Sequence, residues 1–351
     1  MWCETDYMRR FVYFLMFLIL VAVGVGAGVI YQRALAPYKG YSAPEQFVDV
    51  PQGSGAPEIG RRLVEAGVIR DLLTFDVALW QSGQARRLQA GEYRFDRAMT
   101  PAEVLDKIGR GDVYEHRVTF PEGLVIPEMA AIYEEKGLGT AVSFVEAAKD
   151  SSLVTAYDPG ARDLEGYLFP ETYSLPRGTS ASRLVRLMVD RFEHNFPPEL
   201  RQAALARGLT VHQAVVLASL VEKETARDDE RPLVAAVYLN RLAKGMPMQC
   251  DPTVIYALRK AGKYTGNLTR EGLDFDSPYN TYRYPGLPPG PIAAPGRPSL
   301  EAAAKPAQVD YLYFVSRNDG SHVFASTLDE HNRNVQKYQV EYFREKRLNG
   351  P

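Results

Sequence analysis

The sequence has few of the residues that build metal centres, disulfide scaffolds or nucleotide-binding loops. It contains only two cysteines, Cys3 and Cys250, which is too few for a disulfide framework. Its five histidines are scattered, without an HExxH run or a Cys/His cluster at ligand spacing. A GxxxxGK[ST] run is also missing, which argues against a P-loop nucleotide site. We therefore expect neither a metal nor a cofactor.

The chain also lacks an excess of charge of either sign. Lysine plus arginine total 41 and aspartate plus glutamate total 43, a net charge of −2. Proteins that bind nucleic-acid phosphates carry a basic excess or a basic stripe, so no nucleic-acid partner is expected. With 46% hydrophobic and 24% charged residues, the 351-residue chain has the composition of a folded protein of about two or three domains.

One long uncharged run is present, from Phe11 to Tyr31. About 20 apolar residues are enough for a helix to cross the hydrocarbon layer. Arg9 and Arg10 precede the run, which favours a cytoplasmic N-terminus and an extracytoplasmic body. The alternative is a cleaved signal peptide, but its apolar region would be shorter and no clean A-x-A site precedes Tyr31. We predict a cytoplasmic tail (1–10), a single membrane-spanning helix (11–31) and a linker (32–45).

Beyond the linker, strand and helix signals alternate in small modules. Phe47–Val50 and Gly91–Phe95 alternate as strands, and Thr100 with Glu103 forms a capping box ahead of a helix. His116–Phe120 is a further predicted strand, followed by a helix near 126–136. The pattern predicts an α+β fold, with one small module at 46–113, a second module and connector at 114–175, and a mainly helical body at 176–345.

The segment Leu164-Glu-Gly-Tyr-Leu-Phe-Pro-Glu-Thr-Tyr173 is too interrupted by Gly166 and Pro170 for a regular element. Aromatic faces beside polar groups suit sugar rings, which present an apolar face and a hydroxyl rim. Glu171 is its candidate functional residue, with the role of orienting a sugar or a catalytic group. The alternative interpretation is an aromatic packing corner between domains.

The central helix is predicted from Val211 to about Ala226, with Thr210 and Gln213 as a capping box. Glu224 continues the apolar stripe of this helix, whereas Glu222 lies about 200° away around the axis. A carboxyl group on an apolar stripe has a raised pKa, which suits a general acid. The alternative is a solvated helix end with ordinary charges. Asp228 or Asp229 is predicted to cap the next helix.

Several segments in the second half of the chain resemble one family in the same order. They are Leu217–Thr225, Tyr238–Leu242, Asp251–Tyr256, Tyr279–Tyr282, Gly286–Ile292, Tyr311–Val315, His322–Phe324 and His331–Asn332, with Leu164–Tyr173 ahead of them. Together they resemble the endolytic murein transglycosylases of the YceG-like family. The resemblance covers nearly the whole chain, including the N-terminal anchor. Cys250 departs from it, because a small polar residue is expected there.

The resemblance implies a small LysM-like α/β module after the anchor and a mainly helical, lysozyme-like catalytic domain with long loops. It implies that Glu224 is the catalytic acid. It also implies cleavage of the β-1,4 bond between N-acetylmuramic acid (MurNAc) and N-acetylglucosamine (GlcNAc) in peptidoglycan, leaving a 1,6-anhydro end. The protein would then lie in the inner (cytoplasmic) membrane and act on new glycan strands, with peptidoglycan synthases as expected partners.

The polar loops supply the remaining candidates. Long ordered loops beside a helix pair are where binding groups are often found. Each candidate could equally brace its loop. The predicted sugar contacts are Glu171, Gln249, Asp251, Thr253, Asn280, Thr281 and Tyr282.

Two other functions remain open at this point. A hydrolytic muramidase would need Asp251, Glu171 or Asp229 close enough to Glu224 to activate water or to act as a nucleophile. A non-catalytic peptidoglycan-binding scaffold would need only the anchor and the LysM-like module.

Overall fold

The computed structural model describes residues 3–348, so Met1 and Trp2 of the predicted tail lie outside the described residues. The chain forms two compact units. Among the described residues, unit 1 contains 3–117 and 174–177, and unit 2 contains 118–173 and 178–348. Strands β3 Glu115–Thr119 and β4 Thr172–Pro176 pair with each other, and each passes from one unit into the other.

The N-terminal helix α1 spans Cys3–Leu35, which is longer than the predicted 11–31 and takes in the start of the predicted linker. Within it, Met8–Leu35 is long and apolar enough to cross a membrane, and its most apolar stretch is fully exposed. The helix packs against α3 and α4 of unit 1, and Ala34 near its C-terminal end is buried. The helix is therefore compatible with a membrane anchor.

The rest of unit 1 is a two-stranded sheet covered by helices. Strands β1 and β2 are antiparallel, with Gln46 opposite Phe95 and Val50 opposite Gly91. The capping box of Thr100 and Glu103 is present as predicted. The core is formed by the alternate residues of the strands and one face of each helix. The elements are β1 Gln46–Val50, α2 Ala56–Glu65, α3 Leu72–Ser82, β2 Gly91–Phe95 and α4 Pro101–Gly109.

Unit 2 is mainly helical, with one hairpin near its C-terminal end. Strands β5 Tyr313–Ser316 and β6 His322–Ala325 form this hairpin. A 3₁₀ turn covers Ser151–Leu153 and a π-helical segment covers Gln336–Glu341. The helices are α5 Ile126–Glu135, α6 Ala141–Ala147, α7 Ala181–Asn195, α8 Pro198–Leu205, α9 Val211–Glu224, α10 Arg231–Ala243, α11 Asp251–Lys260, α12 Arg270–Leu273, α13 Arg297–Ala304, α14 Leu328–Val335 and α15 Tyr342–Leu348.

Helix α9 lies at the centre of unit 2, packed by α8, α10, α11 and α13. It begins with the predicted capping box of Thr210 and Gln213, and it is buried almost all round from Ala214 to Val221. It ends two residues earlier than predicted, because Thr225 turns to extended backbone at φ −140°. Since the helix stops there, Glu224 occupies its last position.

The predicted cap of the next helix is wrong. Helix α10 begins at Arg231, and Glu230 at its N-cap position makes no side-chain capping bond. Asp228 instead accepts a 3.0 Å hydrogen bond from Nε of Arg231, and Asp229 pairs with Arg227. Both aspartates are therefore engaged by arginine side chains rather than by the free backbone N–H groups of the helix.

The segment Leu164–Tyr173 is a packed corner inside unit 2. Gly166 has φ +83°, and a Cβ there would lie 2.5 Å from Cβ of Pro291 and 3.1 Å from Cγ1 of Val215. Only glycine fits a position with this φ and so close an approach. The corner therefore brings the loop at 286–291 against α9.

Candidate active site

Glu224 lies at the C-terminal end of α9, where the buried helix meets a cleft. Its carboxyl group accepts a 2.7 Å hydrogen bond from the hydroxyl of Tyr238 on α10. Burial raises the pKa of Glu224, the Tyr238 and Cys250 hydrogen bonds lower it, and the charge of Asp251 raises it again, with a raised pKa as the result. Glu224 is thus placed to hold a proton at higher pH than a solvated glutamate.

The cleft beside Glu224 has a volume of about 330 Å³. Helices α9, α10, α11 and α14, strand β5 and two loops contribute to it, so its walls come from sequence positions more than a hundred residues apart. Its lining combines aromatic and aliphatic side chains with polar ones. The lining residues are Glu224, Tyr238, Arg241, Met248, Gln249, Asp251, Tyr282, Phe314, Val315, His331 and Val335.

The second glutamate of this helix, Glu222, points away from the cleft, as the helical geometry predicted. Its Oε2 accepts hydrogen bonds from Ser299 Oγ at 2.8 Å and from the Gly296 backbone N–H at 2.9 Å. Arg231 lies 3.2 Å from the same oxygen, and both side chains are buried. Glu222 is therefore a structural ion-pair residue, while Glu224 faces the open space.

Arg241 organises the loop that forms one wall of the cleft. Its guanidinium donates to the carbonyl oxygens of Pro247, Met248 and Leu312, at 3.1, 2.9 and 2.6 Å. It also contacts Oε1 of Gln249 at 3.3 Å. Gln249 has φ +53°, a left-handed conformation that is uncommon for a residue with a side chain. The arginine thus holds Gln249 at the cleft surface.

Two of the predicted sugar-contact residues are adjacent to each other at the cleft. The hydroxyl of Tyr282 donates a 2.6 Å hydrogen bond to Oδ1 of Asp251, which lies at the start of α11. Burial and the carboxylate of Asp251 raise the pKa of Tyr282, so its hydroxyl remains a donor. Asp251 is exposed, so it is accessible to a ligand in the cleft.

Comparison with known proteins identifies the family of the chain. The model of the YceG-like family matches residues 48–337. The chain belongs to the YceG-like family. It is 31% identical over 331 residues to the endolytic murein transglycosylase of Bacillus subtilis, covering 90% of this chain and 91% of that protein. The endolytic murein transglycosylase of Streptococcus pneumoniae (strain D39) is 31% identical over 355 residues, and the match covers 93% of this chain and 64% of that protein.

A solved structure gives the same assignment. A 2.6 Å crystal structure of a YceG-like protein from Listeria monocytogenes superposes with a TM-score of 0.57 at 31% identity. The match covers 83% of this chain and 98% of that one. The resemblance found in the sequence is therefore confirmed at the level of the family.

Three predicted sugar contacts of this YceG-like chain are fully buried. Thr253 donates a 2.7 Å hydrogen bond to the carbonyl of Cys250, and Thr281 Oγ1 accepts a 3.0 Å bond from the Cys250 N–H. Asn280 donates to the carbonyls of Leu273 and Phe275, each at 2.8 Å. These side chains brace the loops, the alternative that the sequence left open, so they position Cys250 and Asp251 and do not line the cleft.

Glu171 does not line this cleft either. Its Oε2 lies 3.3 Å from Nε of Arg191 on α7, and its backbone carbonyl accepts from the N–H of Phe120. Asp229, an alternative partner for Glu224, lies in the exposed turn before α10. Of the three acids considered as a second catalytic group, the structure places only Asp251 at the cleft.

Seven cleft residues were missed as site candidates by the sequence analysis: Tyr238, Arg241, Met248, Phe314, Val315, His331 and Val335. All but Met248 and Val335 lie in segments that carried the family resemblance, but no local signal distinguished them from core residues. His331 stacks on Tyr313 with ring centroids 5.0 Å apart. Its Nδ1 has no hydrogen-bond partner among the residues that the structure describes. Burial, together with the charge of Arg241, lowers the pKa of His331, so it is neutral at pH 7.

The described residues contain no group of three His, Cys, Asp or Glu side chains arranged to hold a metal ion.

His322, on strand β6, contacts a carboxylate in the turn between α9 and α10. His322 Nδ1 lies 2.7 Å from Oε2 of Glu230, and the Thr225 hydroxyl donates to the same oxygen at 3.2 Å. This contact fixes β6 to the turn that follows Glu224.

Proposed function

We propose that this chain is a membrane-anchored endolytic murein transglycosylase in which Glu224 acts first as an acid and then as a base. The observation that carries the proposal is a single carboxyl group with a raised pKa, at the wall of a cleft and hydrogen-bonded to Tyr238. The names of the Bacillus and Streptococcus relatives support the same activity.

In the first step, neutral Glu224 donates its proton to the oxygen of the β-1,4 bond between MurNAc and GlcNAc. The bond from the anomeric carbon to that oxygen breaks, and GlcNAc leaves as an alcohol. The acetamido group of the MurNAc ring stabilises the positive charge that develops at the anomeric carbon. The Tyr238 hydroxyl stabilises the carboxylate left on Glu224, because a donor to a carboxylate favours its ionised form.

In the second step, the Glu224 carboxylate accepts the proton of the C6 hydroxyl of the same MurNAc. The C6 oxygen attacks the anomeric carbon, and a 1,6-anhydro ring forms without water. The reaction is intramolecular, so the nucleophile does not have to be captured from solution. Glu224 ends the cycle protonated, which explains how one carboxyl group can serve both steps.

The proposed sugar contacts are Gln249, Asp251 and Tyr282, as the sequence predicted, together with His331. The first three line the cleft, and the unpartnered Nδ1 of His331 can accept a hydrogen bond from a hydroxyl. Glu171, Thr253, Asn280 and Thr281 are proposed to act through the loops that they hold.

The anchor and the N-terminal module complete the proposal. Helix α1 would cross the inner membrane once with its N-terminus in the cytoplasm, which keeps unit 2 near new glycan strands and the synthases that make them. The order β1–α2–α3–β2, with the two strands antiparallel, supports the LysM-like interpretation of residues 46–113.

Hydrolysis is the competing reaction, and one observation favours it. Asp251 lines the same cleft as Glu224, so it is a second carboxylate that could activate a water molecule. The Asp251→Asn variant distinguishes the two reactions. Transglycosylation should survive in part with anhydro ends, whereas a hydrolase would lose its base and most of its activity.

The proposal is tested by incubating the full chain with purified glycan strands and separating the fragments by mass spectrometry. Glu224→Gln should release none above background, because an amide cannot donate the proton. Asp229→Asn is the matched control, since Asp229 is an exposed acid five residues away that does not line the cleft. Equal release by Glu224→Gln and the parent would refute Glu224 as the acid, and no release by the parent above background would leave only the scaffold function.

A further inference from the structure

Helix α3 of unit 1 carries an unusual exposed apolar face. Leu73 and Trp80 are 62% and 83% exposed, and Leu72 is 42% exposed. Leu73, Val77 and Trp80 follow each other at spacings of four and three residues, so they lie on one side of the helix. The opposite side, with Phe75 and Ala78, is buried in the core of unit 1. We call Leu72, Leu73, Val77 and Trp80 the α3 stripe.

The α3 stripe lies next to the end of the membrane-spanning helix. Arg33, in the last turn of α1, is 3.7 Å from Asp71. Asp71 is the N-cap of α3, where it accepts the backbone N–H of Thr74 at 2.9 Å. Helix α3 also packs against α1, in which Ala34 near the C-terminal end is buried. The uncharged run of α1 ends at Tyr31, so the stripe begins close to the membrane boundary.

We propose that the α3 stripe lies in the headgroup region of the bilayer, as a second contact between unit 1 and the lipid. This inference rests on the proposed membrane anchor. Tryptophan favours the membrane–water interface, where its ring is in apolar surroundings and its N–H can reach polar groups. Helix α3 has one side buried in the core of unit 1 and an exposed apolar side. The exposed side can therefore contact the lipid once α1 holds unit 1 at the membrane.

The charges around the stripe indicate a shallow position. Asp76 lies on the same side of α3 between Leu72 and Trp80 in helical angle, so this face cannot enter the hydrocarbon layer. Arg86 and Arg87 follow the helix and are exposed, and Arg70 and Lys39 are exposed near its start. The positive charges of these four side chains can pair with the negative charges of lipid phosphates. Two contacts, α1 and α3, restrict the tilt of unit 1 on the membrane more than α1 alone.

The test uses the intrinsic fluorescence of Trp80. The chain has two tryptophans, so Trp2→Phe leaves Trp80 as the single reporter in the full-length protein. This variant is reconstituted into phosphatidylethanolamine–phosphatidylglycerol vesicles that contain lipids brominated near either the headgroup end or the methyl end of the acyl chains. Flotation of the vesicles measures the anchor independently. We expect brominated lipid to reduce the emission of Trp80 relative to unbrominated vesicles, and the bromines at the headgroup end to reduce it more. The emission maximum should lie at a shorter wavelength than that of a tryptophan exposed to water.

A charge placed on the stripe supplies the second arm. In the Trp2→Phe background, Leu73→Glu should reduce the quenching by brominated lipid. Gln81→Glu adds the same charge to the same helix but about 100° from Trp80, and it should leave the quenching unchanged. Circular dichroism confirms that both variants are folded.

The outcomes separate this inference from the anchor. If the protein floats but Trp80 is unquenched by bromine and fully quenched by aqueous iodide, lipid contact by α3 is refuted while the anchor stands. A protein surface would then be the partner of the stripe. If the protein does not float, the proposed anchor fails first. Quenching that Leu73→Glu and Gln81→Glu reduce equally also refutes the stripe as the contact.

Discussion

The hydroxyl of Tyr238 donates a 2.7 Å hydrogen bond to Oε1 of Glu224, across fourteen residues of sequence and between two helices. This contact opposes burial, since burial raises the pKa of the carboxyl group and the donor lowers it. The balance leaves Glu224 protonated at higher pH than a solvated glutamate, and it also provides a donor for the carboxylate formed after proton transfer. Tyr238 is thus a positioning residue for the proposed acid.

Tyr238→Phe should move the pH profile of cleavage. Loss of the donor raises the pKa of Glu224, and the reaction requires the protonated form, so the alkaline limb of kcat/KM moves to higher pH. A hydrogen bond to a charged group contributes about 1.5–3 kcal/mol, which corresponds to about one to two pH units. Tyr284→Phe is the control, because Tyr284 makes the same kind of bond to Asp276 at 2.7 Å on the surface. An unshifted alkaline limb in Tyr238→Phe would contradict this role.

Substitutions of the two glutamates of α9 should have different effects on the stability of the fold. Glu222→Gln removes the charge that pairs with buried Arg231, and breaking a buried ion pair costs about 3 kcal/mol or more. Glu224→Gln removes a carboxyl group that burial disfavours, so the thermal midpoint should stay the same or rise. Thermal unfolding of both variants, followed by circular dichroism, measures the difference. Equal losses of stability would contradict the assignment of Glu222 to a structural ion pair and of Glu224 to a carboxyl group that burial disfavours.

His212 should make the stability of unit 2 depend on pH. Its Nδ1 lies 2.8 Å from Asp158, and its Nε2 lies 3.1 Å from the carbonyl of Pro289, so the charged ring holds the loop at 286–291 against α9. The hydrogen bond with Asp158 raises the pKa of His212. The stabilisation is therefore fully present below the unfolded histidine pKa of about 6.5 and is lost as pH rises through the raised folded value.

His212→Gln should lower the free energy of unfolding by about 1–3 kcal/mol at pH 6, and by less at pH 9. Urea unfolding of the parent and the variant at a series of pH values gives this difference. His194→Gln, an exposed histidine on α7, should change little at any pH. A difference that stays constant from pH 6 to pH 9 would show that the charge of His212 does not stabilise the fold.

Cys250 should be inert in the folded protein. Its side chain is buried, and burial raises its pKa, with a further rise from Glu224. Alkylation requires the thiolate, so iodoacetamide should modify Cys250 only after denaturation. Peptide mapping by mass spectrometry follows the modification. Rapid native alkylation would show that the loop at 246–250 opens and that the cleft geometry described above is not persistent.

Local interactions account for what could be predicted from the sequence. The capping boxes at Thr100 and Thr210 are contacts over three residues, and both are present. The opposite directions of Glu222 and Glu224 follow from helical geometry alone. The prediction that Asp228 or Asp229 caps α10 is wrong because each aspartate pairs with an arginine, and no spacing rule predicts these pairs.

The rest of the site depends on contacts between distant segments. The sequence does not indicate that Tyr238 reaches Glu224, or that Thr281 and Thr253 both bond the backbone of Cys250. Polar loop residues look alike whether they face a ligand or brace a turn. Only burial distinguishes Gln249, Asp251 and Tyr282, which reach the cleft, from Thr253, Asn280 and Thr281, which do not.

The most direct test of the account is cleavage of glycan strands by the full chain in water enriched in oxygen-18. Glu224 acting as acid and then base consumes no water, so every new end should be lighter by one water than a hydrolysed end and should carry no label. Newly formed reducing MurNAc ends that contain oxygen-18, absent from a control incubation without the protein, would show that water is the nucleophile and would contradict the proposed mechanism.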